Sequence, residues 1–155
     1  MDLPLDFREL LAEFARSSVD AVLVGGYAVA FHGRPRATED IDLVLEGSPA
    51  NLERASAALA RFGAPSVVVE AVRTQALTDI VYMGQPPLRV DLLRSIDGVD
   101  LVSLFAHSIA AEIDEVSLRV IDLSDLIANK RAVGRPQDLV DADFLERVRV
   151  SRGKP

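Results

Sequence analysis

The apolar residues of this chain fall into short runs that switch between the spacing of a helix and that of a strand. Phe7, Leu10, Leu11 and Phe14 recur at helical spacing and predict a helix over 6–17, with Asp6 as its cap and Glu9 three residues on. Asp20 to Val24 predicts a strand, Gly25-Gly26 breaks it, and Tyr27 to His32 reads as a short helix. A polar loop bearing Arg34, Arg36 and Thr38 leads to a second strand, DIDLVL, over 40–45. Ser48-Pro49 opens a long helix whose buried stripe is Leu52, Ala55, Leu59 and Phe62, and Gly63 ends it. Between 64 and 78 the period is unclear, and Ser66 to Val69 fits a short strand as well as a helix start.

Asp79 to Met83 and Leu88 to Leu93 flank Gly84-Gln85-Pro86-Pro87 and predict an antiparallel hairpin. Arg89, Asp91 and Leu93 share one face of its second strand. Asp97-Gly98 turns the chain, Asp100 to Ala106 fits a short helix, and Ile109 to Ile113 and Leu118 to Ile121 fit strands around Asp114-Glu115. A helix over 122–133 ends at Gly134, and after Arg135-Pro136 a last helix reaches Arg149. The pattern predicts one α/β (α+β) domain over 1–150, with no internal repeat or linker and a frayed tail at 151–155.

Chemistry concentrates between Val22 and Leu45. In the strand DIDLVL, Asp40 and Asp42 share one face while Ile41, Leu43 and Leu45 share the other. Two carboxylates side by side repel, and burial raises the cost unless a cation lies between them. Oxygen ligands alone favour a hard ion, and Mg²⁺ characteristically combines one or two carboxylates with substrate phosphates. Gly25-Gly26 supplies the complementary half. Glycine permits a sharp turn and a close ligand approach, and the helix behind it directs free N–H groups toward that approach. Together these elements predict a nucleotide–metal site.

Composition narrows the setting. The chain has 155 residues, 49% hydrophobic and 26% charged, which suits a single globular domain with a core of Leu, Val, Ala and Ile. It has no cysteine, which excludes disulfides and thiolate metal sites and fits a reducing cytoplasm. No signal peptide or membrane span is expected, because no apolar run approaches about eighteen residues. A net charge of −7 argues against a large nucleic-acid-binding surface, though not against one basic groove.

Gly25-Gly26, thirteen further residues and then Asp40-Ile41-Asp42 resembles the signature of the polymerase-beta-like nucleotidyltransferase superfamily. The fuller form, Gly-Gly-x-Ala, His-Gly and Arg-x-Thr-x-Asp-Ile-Asp, is similar to a small bacterial branch. That branch includes antibiotic nucleotidyltransferases and abortive-infection-type toxin and antitoxin enzymes. The resemblance spans 20–145 and implies a nucleotidyltransferase fold, a mixed and mostly antiparallel sheet flanked by helices. It also implies a third carboxylate on a later strand, which Asp91 matches, and a lysine near the triphosphate in a late helix, which Lys130 matches.

Each candidate also has a plainer reading. Asp40 and Asp42 could be solvated, but their strand is too apolar for an exposed edge. Asp91 alone could be a capping or hydrogen-bonded core residue, and Gly25-Gly26 only a tight turn. Arg36 and Thr38 lie in a polar loop beside the metal strand, equally suited to phosphate contact and to solvent. Lys130 lies mid-face among Leu123, Leu126 and Ile127, so it either snorkels out or ends at an anion. His32 and Arg34 read as complements to a helix dipole, His107 has no partner pattern, and Asp138 and Asp141 read as structural in the last helix.

The resemblance implies transfer of a nucleoside monophosphate from an NTP to a hydroxyl, with Mg²⁺, or Mn²⁺ in its place, held by Asp40, Asp42 and Asp91. Gly25, Gly26, Arg36, Thr38 and Lys130 are the expected NTP contacts. Acceptors in keeping with it are tRNA, a partner protein or a small molecule, and a cognate toxin or antitoxin is an expected partner. From a different class, the same sequence fits an inactive nucleotide- or partner-binding module of this fold. Retention of all three carboxylates argues against that reading.

Overall fold

The computed structural model describes residues 2–35, 37–85 and 88–153. The elements follow in the order α1 (Leu5–Arg16), β1 (Ala21–Val24), α2 (Gly25–Phe31), β2 (Asp40–Leu45), α3 (Pro49–Phe62) and α4 (Ser66–Arg73). A hairpin of β3 (Ile80–Gln85) and β4 (Leu88–Leu93) comes next, then α5 (Leu101–His107), β5 (Ile109–Ile113), β6 (Val116–Val120), α6 (Leu123–Val133) and α7 (Pro136–Arg152). The strands form one sheet in the order β3-β4-β2-β1-β6-β5. The pairs β1–β2, β3–β4 and β5–β6 are antiparallel, and β1–β6 and β2–β4 are parallel. The sheet is therefore mixed and mostly antiparallel, and the chain has the α/β architecture expected of it.

Central position explains the apolar runs. Val22, Leu23 and Val24 in β1 and Ile41, Leu43, Val44 and Leu45 in β2 are all buried, because these strands have a neighbour on each side and cover on both faces. The hairpin at the β3 edge differs. Val81 and Met83 are buried, while Ile80 and Tyr82 on the opposite face are exposed. Tyr82 pairs with Asp91, and Asp91 pairs with Asp42, so the open face at this edge is the one that carries the carboxylates.

Several boundaries depart from the pattern-based expectation. Helix α1 starts earlier than predicted, with Pro4 at its N-cap and no side-chain cap, so Asp6 falls inside the first turn. The ambiguous valine run is helix α4, entered from Pro65, with Val68 and Val72 one turn apart and buried. Strand β6 begins at Val116, because Asp114 and Glu115 both take positive φ, 51° and 68°, and close a two-residue hairpin turn. Helix α7 continues through Ser151 and Arg152, so that part of the expected frayed tail is helical. Helix α3 matches its reading at both ends, from the Ser48 cap to Gly63 at φ 100°.

One buried side chain ties the sheet centre to α3. Asn51 is fully buried, its Nδ2 donates to the carbonyls of Asp20 (3.0 Å) and Glu46 (2.7 Å), and its Oδ1 accepts from the Asp20 N–H (2.7 Å). These bonds hold the start of β1 and the end of β2 together. Asn51→Ala removes the side-chain partner of the Asp20 N–H and of the Glu46 carbonyl and is expected to lower the unfolding free energy by about 2–4 kcal/mol, read from urea denaturation midpoints.

Candidate active site

Strand β1 runs directly into α2, and Val24 pairs with Asp42, so the strand-to-helix turn lands beside that carboxylate. Two constraints require glycine at position 25. Its φ is +69°, and a Cβ there would lie 2.1 Å from Asp42 Oδ2. A Cβ on Gly26 would lie 2.7 Å from Thr38 Oγ1, so Thr38 packs onto the start of α2, and its hydroxyl donates to the Asp40 carbonyl at 3.3 Å.

Parallel pairing of β2 with β4 sets Asp42 beside Asp91 and Asp40 beside Arg89, all on the same face. The crowding shows in the protonation of Asp42, which is pushed up to about 7. Burial is the largest cause, followed by the charge of Asp91, a hydrogen bond shared with Asp91 and the charge of Asp40, while Lys130 pulls the other way. Arg89 forks onto Asp91, with Nε 2.8 Å from Oδ1 and the second guanidinium nitrogen 3.1 Å from Oδ2. That second nitrogen also lies 3.4 Å from Asp40 Oδ2, and the guanidinium sits 5.0 Å over the Tyr82 ring.

A second charged cluster forms at the junction of α6 and α7. Lys130 is buried, with Nζ 3.3 Å from Asp138 and 3.6 Å from Asp141. Arg135 Nε is 2.7 Å from Asp138, and Arg34 Nε is 3.1 Å from Asp141. Burial works to raise the Asp138 pKa, but the hydrogen bonds from Arg135 and Lys130 outweigh it and hold the group below its usual value. Lys130 and Arg135 both feel the charge of Asp42, so this junction lies within electrostatic reach of the strand carboxylates.

The structure thus gathers Gly25, Gly26, Thr38, Asp40, Asp42 and Asp91 around the ends of β1, β2 and β4, with Lys130 acting on Asp42 from α6. Arg36 lies outside the described residues. Lys130 ends at anions, as one of its two readings has it, and those anions are internal. His32 and Arg34 do not serve as dipole complements. His32 is buried and donates from Nε2 to the Ile121 carbonyl at 2.7 Å, and burial lowers its pKa, while Arg34 pairs across to α7. Sequence reasoning passed over Arg89 as a ligand of the carboxylates and read Asp138 and Asp141 as structural, which fits their capping and ion-pair roles, without naming Lys130 as their partner. The only available signal was that a buried lysine needs counter-charge.

Among the described residues, His107, Asp122 and Asp125 are the one trio of histidine and carboxylate whose ligand atoms all lie within 4.8 Å of one another. Asp122 is the α6 N-cap, accepting from the Asp125 N–H at 2.8 Å, and His107 packs on Asp125, so the trio has a structural role already.

The sequence model of the nucleotidyl transferase AbiEii toxin, from type IV toxin–antitoxin systems, matches residues 9–153. The chain belongs to that family. Solved structures agree on the fold. A Thermotoga maritima protein of the nucleotidyltransferase class superposes with a TM-score of 0.57 at 15% identity, covering 91% of this chain and 88% of that one. The antibiotic-resistance factor ANT(2'')-Ia gives 0.60 at 16% identity, with 96% and 83% covered, and has also been seen in complex with adenylyl-2''-tobramycin. A nucleotidyltransferase-like protein from Paracoccidioides brasiliensis gives 0.56 at 14% identity, covering 90% and 73%. Comparison with the curated proteins gave no match. No helix among the described residues of this AbiEii family member is long and apolar enough to cross a membrane.

The Asp42 shift sets a pH dependence with a definite sign. Its folded value of about 7 stands above the ordinary 3.8, so between these limits the folded state holds the extra proton. Stability from this group is present at low pH and falls as pH rises through that window. With chelator present, Asp42→Asn is expected to flatten this fall and to stabilise the protein at pH 8 by roughly 1–3 kcal/mol, measured as the wild-type–mutant difference in thermal unfolding across pH.

Proposed function

We propose that this protein transfers a nucleoside monophosphate from an NTP to a hydroxyl acceptor, with pyrophosphate as the leaving group. The observation that carries the proposal is the placement of Asp40, Asp42 and Asp91 on one face of β2 and β4, with Asp42 packed against Gly25. Glycine at position 25 leaves room for Asp42, and burial together with the neighbouring Asp91 raises the Asp42 pKa to about 7, so added positive charge there favours its ionised form. An all-oxygen donor set of this kind fits Mg²⁺ or Mn²⁺, with Asp40, Asp42 and Asp91 as the holding residues. The bound ion would neutralise phosphate charge and the developing charge on the attacking and leaving oxygens.

The chain's own groups do the rest. The acceptor oxygen attacks the α-phosphorus, the bond from that phosphorus to the α–β bridging oxygen breaks, and the hydroxyl proton passes to Asp91. The Gly25 and Gly26 amides and Thr38 contact the phosphates and hold the reacting atoms in line, so positioning and electrostatics supply most of the rate, and Arg36, the further contact expected from the sequence, lies outside the described residues. Lys130 adds a contact to the outer phosphates. Its ammonium has three donors, and among the described residues Asp138 and Asp141 face it as two acceptors, so the third is the donor assigned to the ligand. The acceptor is a tRNA, a protein or a small molecule, and the family description favours a cognate antitoxin as partner. The setting in keeping with this reading is the cytoplasm.

The test is a transfer screen with labelled NTPs and Mg²⁺ or Mn²⁺ over tRNA, proteins and aminoglycosides. Label covalently attached to one acceptor class, with pyrophosphate released, is the expected result, and tight NTP binding without turnover on any of them would favour a binding module. A thermal-shift series provides a second check. Metal and NTP together are expected to raise Tm by more than the sum of their separate effects, and Asp42→Asn to abolish the excess.

Lys130→Met removes the cation from a buried pair and is expected to destabilise the fold by about 3–5 kcal/mol. In folded variant with Mg²⁺, it should weaken ATP binding by a further roughly 1.5–3 kcal/mol, the scale of a hydrogen bond to a charged group, and AMP binding far less. Calorimetric titration of both nucleotides separates the two effects, and equal losses for ATP and AMP would remove the triphosphate role.

A further inference from the structure

Arg89 does more at this site than decorate a strand. Two residues before Asp91 on β4 and opposite Asp40 on β2, it is fixed by the backbone on the carboxylate face. Its fork engages both oxygens of Asp91 at 2.8 and 3.1 Å, and its outer nitrogen reaches Asp40 at 3.4 Å. A guanidinium matched bidentately to a carboxylate is the strongest neutraliser a side chain provides. The oxygens it engages belong to two of the three residues that a divalent cation would need.

We propose that Arg89 is a built-in counter-cation that competes with a divalent metal ion for Asp91 and Asp40, so that metal binding requires the guanidinium to leave. This rests on the reading of the three carboxylates as a cation site. The geometry provides both the hold and the exit. The Arg89 side chain is 36% exposed and lies over Tyr82, itself 54% exposed, on the uncovered face at the sheet edge. The guanidinium can therefore move outward along that ring without disturbing the core, which is formed on the other face by Val81, Met83, Val90 and Leu92. Asp42 is not held by Arg89 and is its own case, hydrogen-bonded to Asp91 and influenced by Lys130. Release of Arg89 would free Asp91 first and Asp40 with it.

The experiment is Mn²⁺ binding by the full chain without nucleotide, followed by the electron paramagnetic resonance signal of the free ion. The variants are wild type, Arg89→Gln, Arg89→Lys and Asp42→Asn. If Arg89 competes, Arg89→Gln binds Mn²⁺ roughly tenfold or more tightly than wild type, the scale of one lost charge-assisted contact. Arg89→Lys, which keeps the charge without the fork, falls between them. The same Arg89→Gln protein unfolds at lower temperature than wild type in chelator, and Mn²⁺ removes the difference. Equal or weaker Mn²⁺ binding by Arg89→Gln, with wild-type binding intact and lost in Asp42→Asn, overturns the competition while leaving the cation site standing. Absence of Mn²⁺ binding in wild type and in Arg89→Gln alike overturns both. Should Arg89→Gln fail to fold, Arg89→Lys carries the decision, and binding no tighter than wild type then rejects the proposal.

Discussion

Mutual repulsion of Asp40, Asp42 and Asp91 is the constraint around which this structure is arranged. A central strand buries both faces of its neighbours, and β2 is central, yet it opens with two carboxylates. The parallel register with β4 adds a third directly beside Asp42. Left alone, such an arrangement would favour a different register or a looser sheet, since a one-residue slip turns every side chain to the other face. Here a slip would send the carboxylates into the core side lined by Ile41, Leu43 and Leu92, all essentially inaccessible. The apolar positions thus enforce the register that the charges oppose, and each nearby feature relieves the resulting strain. Gly25 makes room, Arg89 supplies charge at one end, and Lys130 supplies it at the other.

The α6–α7 junction extends this electrostatic frame across the molecule. Gly134 at φ 71° ends α6, Pro136 starts α7, and the Arg135 backbone and side chain both engage Asp138. This sharp corner delivers Asp138 and Asp141 to a lysine on the preceding helix and Arg34 from the loop after α2. A buried ionic cluster gains little net stability over an apolar one, but removing one member leaves uncompensated charge in low dielectric. It therefore fixes where the last helix sits.

What the sequence disclosed about all this follows the range of the physics. Strand β2, the ends of α3 and the β3–β4 hairpin depend on local signals: alternation, a Ser-Pro start, a left-handed glycine, a tight turn. They are readable from neighbours in the chain. Helix α4 was ambiguous because Val67, Val68 and Val69 have strand propensity, and only packing of Val68 and Val72 inside decides for a helix. Asn51 reads as an ordinary helix residue, since its backbone partners, on Asp20 and Glu46, flank two strands that only the fold brings together. The Arg89 fork needs only β4 itself, but its reach to Asp40 needs the parallel register with β2, a non-local fact. For the same reason Lys130 could be seen to require an anion, while Asp138 and Asp141 could not be singled out as the ones it meets.

Charge accounting across the two clusters links the fold to the proposed chemistry. Beside the strands, three carboxylates face one guanidinium among the described residues, and the raised pKa of Asp42 lessens the remaining negative excess near neutral pH. At the junction, Lys130, Arg135 and Arg34 face Asp138 and Asp141, an excess of one positive charge among the described residues. The two excesses oppose each other through Lys130 and Arg135, so the cleft is close to neutral although the chain carries a net −7. A site so balanced attracts a bare triphosphate, which brings several negative charges, less than it attracts the triphosphate with a cation, and a bare divalent cation competes with an arginine for the carboxylates. Brought together, the cation neutralises the phosphates while the carboxylates neutralise the cation, and neither is left in low dielectric without a partner. Near-neutrality of the resting cleft therefore makes nucleotide and metal each strengthen the binding of the other.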